Sequence, residues 1–362
     1  MHEQAHRAAS RRVPPASRDE DPAGLAAQWI RPRRPREHFP PYELADRDIV
    51  ARTEERTRKL ARLYHVAQEK AWDGRAVLRE LIEKHGGIQV PEGKKEALGR
   101  VASVLLWGEL AAWSISADLA LRLEDPAAKM AATSQVFDEA RHFYVLRDYL
   151  WQAGVAVPHL GGYSRALLVE LLETESLLHK LVGMQLMVEN VALTLFKMIA
   201  AARVEPVLSD LLYYYERDEA RHVGLGALAL PRILAGLSDL DAGRLWLFQL
   251  RIQLLMVAGG LTMRDTFQQL GIDQAAMQRY GFELQRDVYQ RMSRGDDGAR
   301  RRATRGLFKM SRAGQERINR FLFPRDAEER PAWQEPVLRA LITLAERGDR
   351  LLQARSGGGR AS

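Results

Sequence analysis

Apolar residues recur every three to four positions through most of this chain, and strand-like alternation is hard to find. That period belongs to helices with one buried face. Ala, Leu, Arg and Glu dominate the periodic stretches, and most of them are strong helix formers. The pattern predicts helices over roughly Arg47–Glu69, Gly74–Lys84, Glu96–Leu123, Pro126–Gln152, Tyr163–Ala202 with a bend near Gly183, and Pro206–Leu234. Further helices are predicted over Leu240–Leu270, Asp273–Met292 and Ala332–Gln353, with a short pair between Thr304 and Phe321. Breakers mark the joints: HGGIQVPEG, then EDPAA with Pro126 set for a first turn, VPHLGGY, and SRGDDGARRRATRG. Four consecutive helices between Glu96 and Leu234 each run about 25 residues or more, the length and spacing of a four-helix bundle. The fold class is therefore all-α. The bundle spans 96–235, with N-terminal helices in 41–95 and C-terminal helices in 236–354 packed on it. Residues 1–40 are rich in Arg and Pro and lack apolar periodicity, so they read as a flexible basic arm, and 355–362 as a flexible tail.

Composition narrows the chemistry. The chain has 362 residues, 46% of them hydrophobic, enough for a large core. It has no cysteine, which excludes disulfides, thiolate zinc sites, iron–sulfur clusters and thiol catalysis. The N-terminus has basic residues without an apolar h-region, unlike a secretory signal. No uncharged apolar run reaches membrane-spanning length. The nearest, Leu245–Met263, carries Arg251, Gln249 and Gln253 and reads as a buried helix. A cytoplasmic protein with no membrane partner is expected. The net charge of +7 reads as solubility or as a surface for an acidic partner. Its arginine clusters, at Arg31–Arg36 and Arg300–Arg305, lack interleaved aromatics, so nucleic acid is not the expected partner.

One pentapeptide, DEARH, occurs at Asp138–His142 and again at Asp218–His222. Glu139 and His142, like Glu219 and His222, are three apart. On a helix that is a turn of about 300° and a rise of about 4.5 Å, so both side chains lie on one face and can bind one metal ion. A single E-x-x-H means little, because helices are full of glutamate. The spacing upstream changes that. Glu109 and Glu189 each interrupt an apolar run, where a carboxylate is costly unless paired or metal-bound. Glu139 follows Glu109 by 30 residues, Glu219 follows Glu189 by 30, and an offset of 80 relates all three ligand types. Two helix hairpins of this kind place four carboxylates and two imidazoles at the centre of one bundle. These ligands suit iron or manganese, and four carboxylates balance two divalent ions. Asp138 and Asp218 are expected to bind the outer N–H of the histidines crosswise, Asp218 with His142 and Asp138 with His222, with Arg141 and Arg221 neutralising them. Tyr215, one turn before Glu219, is placed either to line the metal cavity as a catalytic side chain or to pack as core. Leu105, Ala112, Trp113, Phe143, Leu186 and Leu193 sit a turn from ligands and should wall the cavity. His179 lies about 80° off the face of Glu189 and reads as structural.

With these residues, Glu109, the DEARH at 138–142, Glu189 and the DEARH at 218–222, the chain resembles the ferritin-like di-iron carboxylate superfamily. More narrowly it is similar to the ribonucleotide reductase small subunit-like oxidases and oxygenases. The resemblance covers about Glu96–Leu234. It implies that Glu139 and Glu219 bridge two metals, with Glu109 and His142 completing one position and Glu189 and His222 the other. The radical tyrosine of the reductase subunit falls here on Leu146, and the third histidine of the arylamine N-oxygenases on Tyr215, so neither subgroup is matched. The expected function is O2-activating oxidation of a small or lipid-like organic substrate in an apolar pocket. Two irons or a manganese–iron pair would be the cofactor and O2 the co-substrate. Glu139 and Glu219 are the candidate catalytic residues beside Tyr215. A separate electron donor, a ferredoxin or a reductase, is needed, since no flavin, nicotinamide or iron–sulfur motif is present. A homodimer is expected. The alternatives are a ferritin-like ferroxidase or iron-binding protein and a di-iron hydroxylase of transfer RNA.

Overall fold

A computed structural model of the chain describes residues 55–293 and 333–357, with short pieces at 314, 316–318 and 321–322. The expected arm over 1–40 lies outside the described residues, as does most of the pair between Thr304 and Phe321. Among the described residues the regular structure is helical throughout, with no strand. The helices are α1 (Glu55–Glu69), α2 (Gly74–His85), α3 (Glu92–Arg122), α4 (Pro126–Gln152), α5 (Gly162–Glu173), α6 (Leu177–Ala202), α7 (Pro206–Ala235), α8 (Asp239–Thr262), α9 (Arg264–Leu270), α10 (Gln274–Ser293) and α11 (Gln334–Gly357).

The starts of these helices are written in the sequence. Asp125 accepts from the backbone N–H of Ala127 and Ala128, with Pro126 in the first turn of α4. Glu205 does the same for α7, accepting from Leu208 N at 2.8 Å ahead of Pro206. Its other role is less local: the Tyr149 hydroxyl donates to it at 3.0 Å and ties α4 to the start of α7.

Two predicted helices are each divided. The run predicted as Tyr163–Ala202 breaks at Thr174–Ser176. Thr174 is extended (φ −62°, ψ 129°), and the Ser176 hydroxyl accepts from His179 N at 3.2 Å to start a new helix. Inside that new helix, Leu181–Val188 winds as a π-helix around the expected bend at Gly183. The run predicted as Leu240–Leu270 breaks at Met263, after Gly259, Gly260 and a Thr262 hydroxyl that bonds back to Gly259 O at 2.8 Å. α11 continues to Gly357, past the predicted end at Gln353.

α3 packs on α4 and α6 on α7, giving the two hairpins of the bundle. Its interior is divided along the axis. One apolar cluster joins Ala111–Leu119, Ala127–Ala132, Leu177–Met187 and Val223–Leu234. The other joins Ala97–Leu105, Val145–Leu150, Leu195–Ile199 and Val207–Tyr215. Both DEARH segments, Glu109 and Glu189 fall in the layer between them. Burial of the two apolar clusters, at about 25 cal/mol per Å², is what carries the cost of keeping a charged layer out of water.

By length and composition three helices, α3, α6 and α8, are apolar enough to cross a membrane. The expectation that no such run exists holds only for uncharged stretches. α3 and α6 each carry one of the buried glutamates at mid-length.

Candidate metal centre

The structure brings all six predicted ligands together. Glu109, Glu139, His142, Glu189, Glu219 and His222 are each at most 4% exposed. They form two groups, Glu109–Glu139–His142–Glu219 and Glu139–Glu189–Glu219–His222, in each of which one ligand atom per residue lies within 4.8 Å of the others. Glu139 and Glu219 belong to both. The Nδ1 atom of His142 stands 3.3 Å from Glu109, 3.6 Å from Glu139 and 3.4 Å from Glu219. The Nδ1 atom of His222 stands 3.1 Å from Glu139 and 3.0 Å from Glu219. Both imidazoles therefore turn the same nitrogen inward.

The outer nitrogens are held crosswise, as the spacing predicts. His142 Nε2 lies 3.2 Å from Asp218 and His222 Nε2 lies 3.3 Å from Asp138. A carboxylate there fixes the proton on Nε2 and leaves the Nδ1 lone pair facing the cluster. Arg141 donates to Asp138 and, at 2.8 Å, to Asp218. Arg221 donates to both aspartates at 2.8 Å. Two buried aspartates and two buried arginines thus close a neutral ring around the histidines. Charges so far from water persist only because each is paired and hydrogen-bonded.

Three further participants lie beyond what the sequence pattern predicts. The Trp72 indole, in the link between α1 and α2, donates to Asp218 at 2.7 Å and lies under the Arg141 guanidinium at 4.6 Å. It is 146 residues from its partner, and nothing local in the sequence announces it. The Gln135 amide donates to Glu189 at 2.6 Å and to Glu139 at 3.0 Å. Gln185 in turn donates to Gln135 at 2.9 Å. Each glutamine stands one turn before a ligand, and that position is the signal that could have flagged both.

Electrostatics show what the cluster needs. Burial holds Glu109 and Glu189 well above the usual carboxylate range. For Glu139 and Glu219 burial also pushes upward, but the imidazoles beside them win and hold both low. Burial alone would lower the histidines. The carboxylates of Asp218, Glu109, Glu139 and Glu219 packed around His142 outweigh it, as do the charges of Glu219 and Glu139 at His222, and both rise well above the ordinary imidazole value. Without metal, then, burial and crowded carboxylates favour protons on Glu109, Glu189 and both histidines. Glu139 Oε2 and His142 Nδ1 are still left buried without a hydrogen-bond partner. Orphan lone pairs of O and N converging on one point are what a pair of divalent cations would satisfy, and the donor set fits iron or manganese.

Beside the cluster lies a cavity of about 220 Å³. Its wall includes Glu109, Glu139, Glu189 and Glu219, and otherwise is mostly apolar: Leu105 and Ala112 from α3, Met187 from α6, Met256 from α8, Phe267 from α9 and Met277 and Phe282 from α10. The helices after the bundle thus roof the site. Of the six predicted wall residues, Leu105 and Ala112 line the cavity and the others do not. Trp113 is 37% exposed, Phe143 is half-buried, and Leu186 and Leu193 are buried in packing outside the wall. Tyr215 also departs from the reading that put it in the cavity. Its ring stacks on His142 at 4.1 Å, and its hydroxyl donates to the His142 carbonyl at 2.6 Å. It stands behind the histidine and positions it. His179 stacks on Phe248 at 4.2 Å, away from the cluster.

No family model matches the chain, and no curated protein matches it. Among solved structures, it is similar to protein 19 with aldehyde deformylating oxidase activity from Synechococcus, at 19% identity and a TM-score of 0.50, over 61% of this chain and 98% of that one. It is also similar to two variants of an R2-like ligand-binding oxidase with aerobically reconstituted Mn/Fe cofactor. One has 17% identity and a TM-score of 0.47 over 64% of this chain and 92% of that one. The other has 15% identity and a TM-score of 0.44 over 76% and 98%. The likeness to the first shows the fold alone, a ferritin-like helical bundle.

Proposed function

We propose that the chain is a non-haem di-metal oxidase or oxygenase that uses O2 to oxidise a small or lipid-like organic substrate. The observation that carries this reading is the pair of buried ligand groups sharing Glu139 and Glu219, set against an apolar cavity. Glu109 and His142 would complete one metal position, Glu189 and His222 the other. A pair of iron ions, or manganese with iron, held there supplies the electrons that activate O2. Everything else is the protein's work. Asp138 and Asp218 keep the Nδ1 atoms of His222 and His142 aimed inward, and Tyr215 pins the backbone of His142. The apolar wall holds an aliphatic or aromatic substrate next to Glu109 and Glu189 and keeps bulk water away from the reacting atoms. The neighbour named for aldehyde deformylating oxidase activity agrees with this assignment.

Electrons would come from a separate ferredoxin or reductase. Exposed Trp107, Trp113 and Leu121 on α3 and Phe137 on α4 support a homodimer. Glutamates buried at the middle of α3 and α6 argue against these two helices crossing a membrane, in keeping with a soluble protein.

The test is metal content per chain after expression with both iron and manganese, followed by O2 uptake under reducing conditions. The expected result is about two metals per chain, the number four carboxylates neutralise, with at least one lost and O2 uptake abolished in Glu219→Ala. A wild-type protein that takes up no metal would end this reading.

A further inference from the structure

The duplicated sequence suggests two equivalent metal positions, but the side chains around them are not equivalent. The offset of 80 that relates the ligands also relates Gln135 to Tyr215 and Leu105 to Gln185. In one half, Gln135 donates through one amide nitrogen to Glu189 (2.6 Å) and Glu139 (3.0 Å). Gln185 donates into the Gln135 carbonyl at 2.9 Å, so both ends of the Gln135 amide are committed. Both glutamines are buried, at 1% and 0% exposure. In the other half, the counterpart of Gln135 is Tyr215, whose hydroxyl is spent on the His142 carbonyl. The counterpart of Gln185 is Leu105, which has nothing to donate. Glu189 therefore has an amide donor on Oε1, and Glu109 has none from the equivalent position.

From this asymmetry we infer that Gln135, steadied by Gln185, is a positioning residue that makes the two metal positions unequal. The amide ties down one oxygen of Glu189 and turns the other toward the Glu189–His222 position. The Glu109–His142 position has no such restraint. The inference rests on the metal-binding reading above and deepens it. Carboxylate ligands are oriented by the groups that hydrogen-bond them, and losing such a group lowers metal affinity by about 10–100-fold. Here that loss should fall on one position only, because the Glu139 oxygen that Gln135 also holds, Oε1, is the one beside His222 at 3.1 Å, while Oε2 is the one beside His142 at 3.6 Å. The arrangement is built into the backbone as well. Gly226 of α7 faces Gln185 across a gap in which an added Cβ would stand 2.6 Å from Gln185 Cβ, so α7 and the π-helical turn approach closely.

The experiment is a titration of the metal-free full chain with Mn(II) alone, following free Mn(II) by its EPR signal. The wild type should bind two ions in two unequal steps. In Gln135→Leu one step should weaken by about 10–100-fold while the other stays. The weakened step should be the one abolished in Glu189→Gln and not the one abolished in Glu109→Gln. Because Gln135→Leu leaves the Gln185 donor buried without a partner, the double variant Gln135→Leu/Gln185→Leu removes both together, and a thermal melt checks that it folds. It should show the same selective loss. Equal steps in the wild type overturn the inference, as does an unchanged titration in the double variant. A parallel weakening of both steps overturns it too, since that marks a general packing role. In each of those outcomes the metal-binding reading stands. A wild type that binds no Mn(II) or iron overturns both.

Discussion

At the scale of single residues the metal layer is a problem in charge balance. Burial favours the protonated form of Glu109 and Glu189, and the carboxylates around His142 and His222 favour theirs. Two divalent cations would supply the positive charge that those protons otherwise bring to the four carboxylates. Metal uptake should accordingly release protons. The sign follows from the shifts. All four groups have raised values in the metal-free protein, so each proton must leave before its lone pair can bind. Metal affinity therefore falls as the pH is lowered through the neutral range. Calorimetric titration with Mn(II) in buffers of different ionisation enthalpy measures the release directly. A heat that does not change with the buffer would mean that the layer is already deprotonated, and the charge argument would fail.

At the scale of elements, what is legible in the sequence is what is local or periodic. The 3.6-residue pattern places α3, α4 and α7 within a few residues of their ends, and Asp125, Pro126 and Pro206 mark two of the starts. The ligand helices are legible for a different reason. A glutamate in an apolar run is expensive, so Glu109 and Glu189 stand out in the sequence by themselves. The breaks at Thr174–Ser176 and Met263 are not legible, because short polar stretches inside long apolar patterns are compatible with a continuous helix. Nor are the contacts of Trp72, since a hydrogen bond across 146 residues leaves no periodic trace. The π-helical turn at Leu181–Val188 is the element that most needs a structural test. Its approach to α7 depends on Gly226, where a methyl group would meet Gln185 Cβ at 2.6 Å and Leu186 Cδ2 at 3.3 Å. Alanine would gain up to about 1 kcal/mol in helix propensity. Overpacking against a backbone-proximal atom costs about 1–3 kcal/mol. The net should be a loss for Gly226→Ala, read as a lower midpoint in urea. A midpoint raised by the propensity term would show that the two helices can separate at no cost.

For the whole molecule, the question is why a four-helix bundle carries so much helix after its last ligand. The cavity supplies the reason. Met256, Val257 and Gly260 of α8, Phe267 of α9 and Met277, Gly281 and Phe282 of α10 form its wall opposite the bundle. Without them the cluster would face solvent, and the apolar substrate proposed above would lose half of its wall. The roof can be tested apart from the metals. Gly260 lines the cavity, and a Cβ added there meets nothing nearer than the amide nitrogens of Gln274 at 3.8 Å and Gln278 at 4.0 Å. A leucine at this position therefore has room to grow only into the cavity. It also replaces a glycine in the last turn of α8, where any gain in helix propensity stays below the roughly 1 kcal/mol of a helix interior. Gly260→Leu should keep both metals and its melting temperature. A leucine side chain should close off much of a cavity of about 220 Å³. Substrate-dependent O2 uptake should then fall while uptake without substrate is unchanged. If both rates stay at the wild-type level, oxidation takes place outside this cavity, and the helices after the bundle serve packing alone.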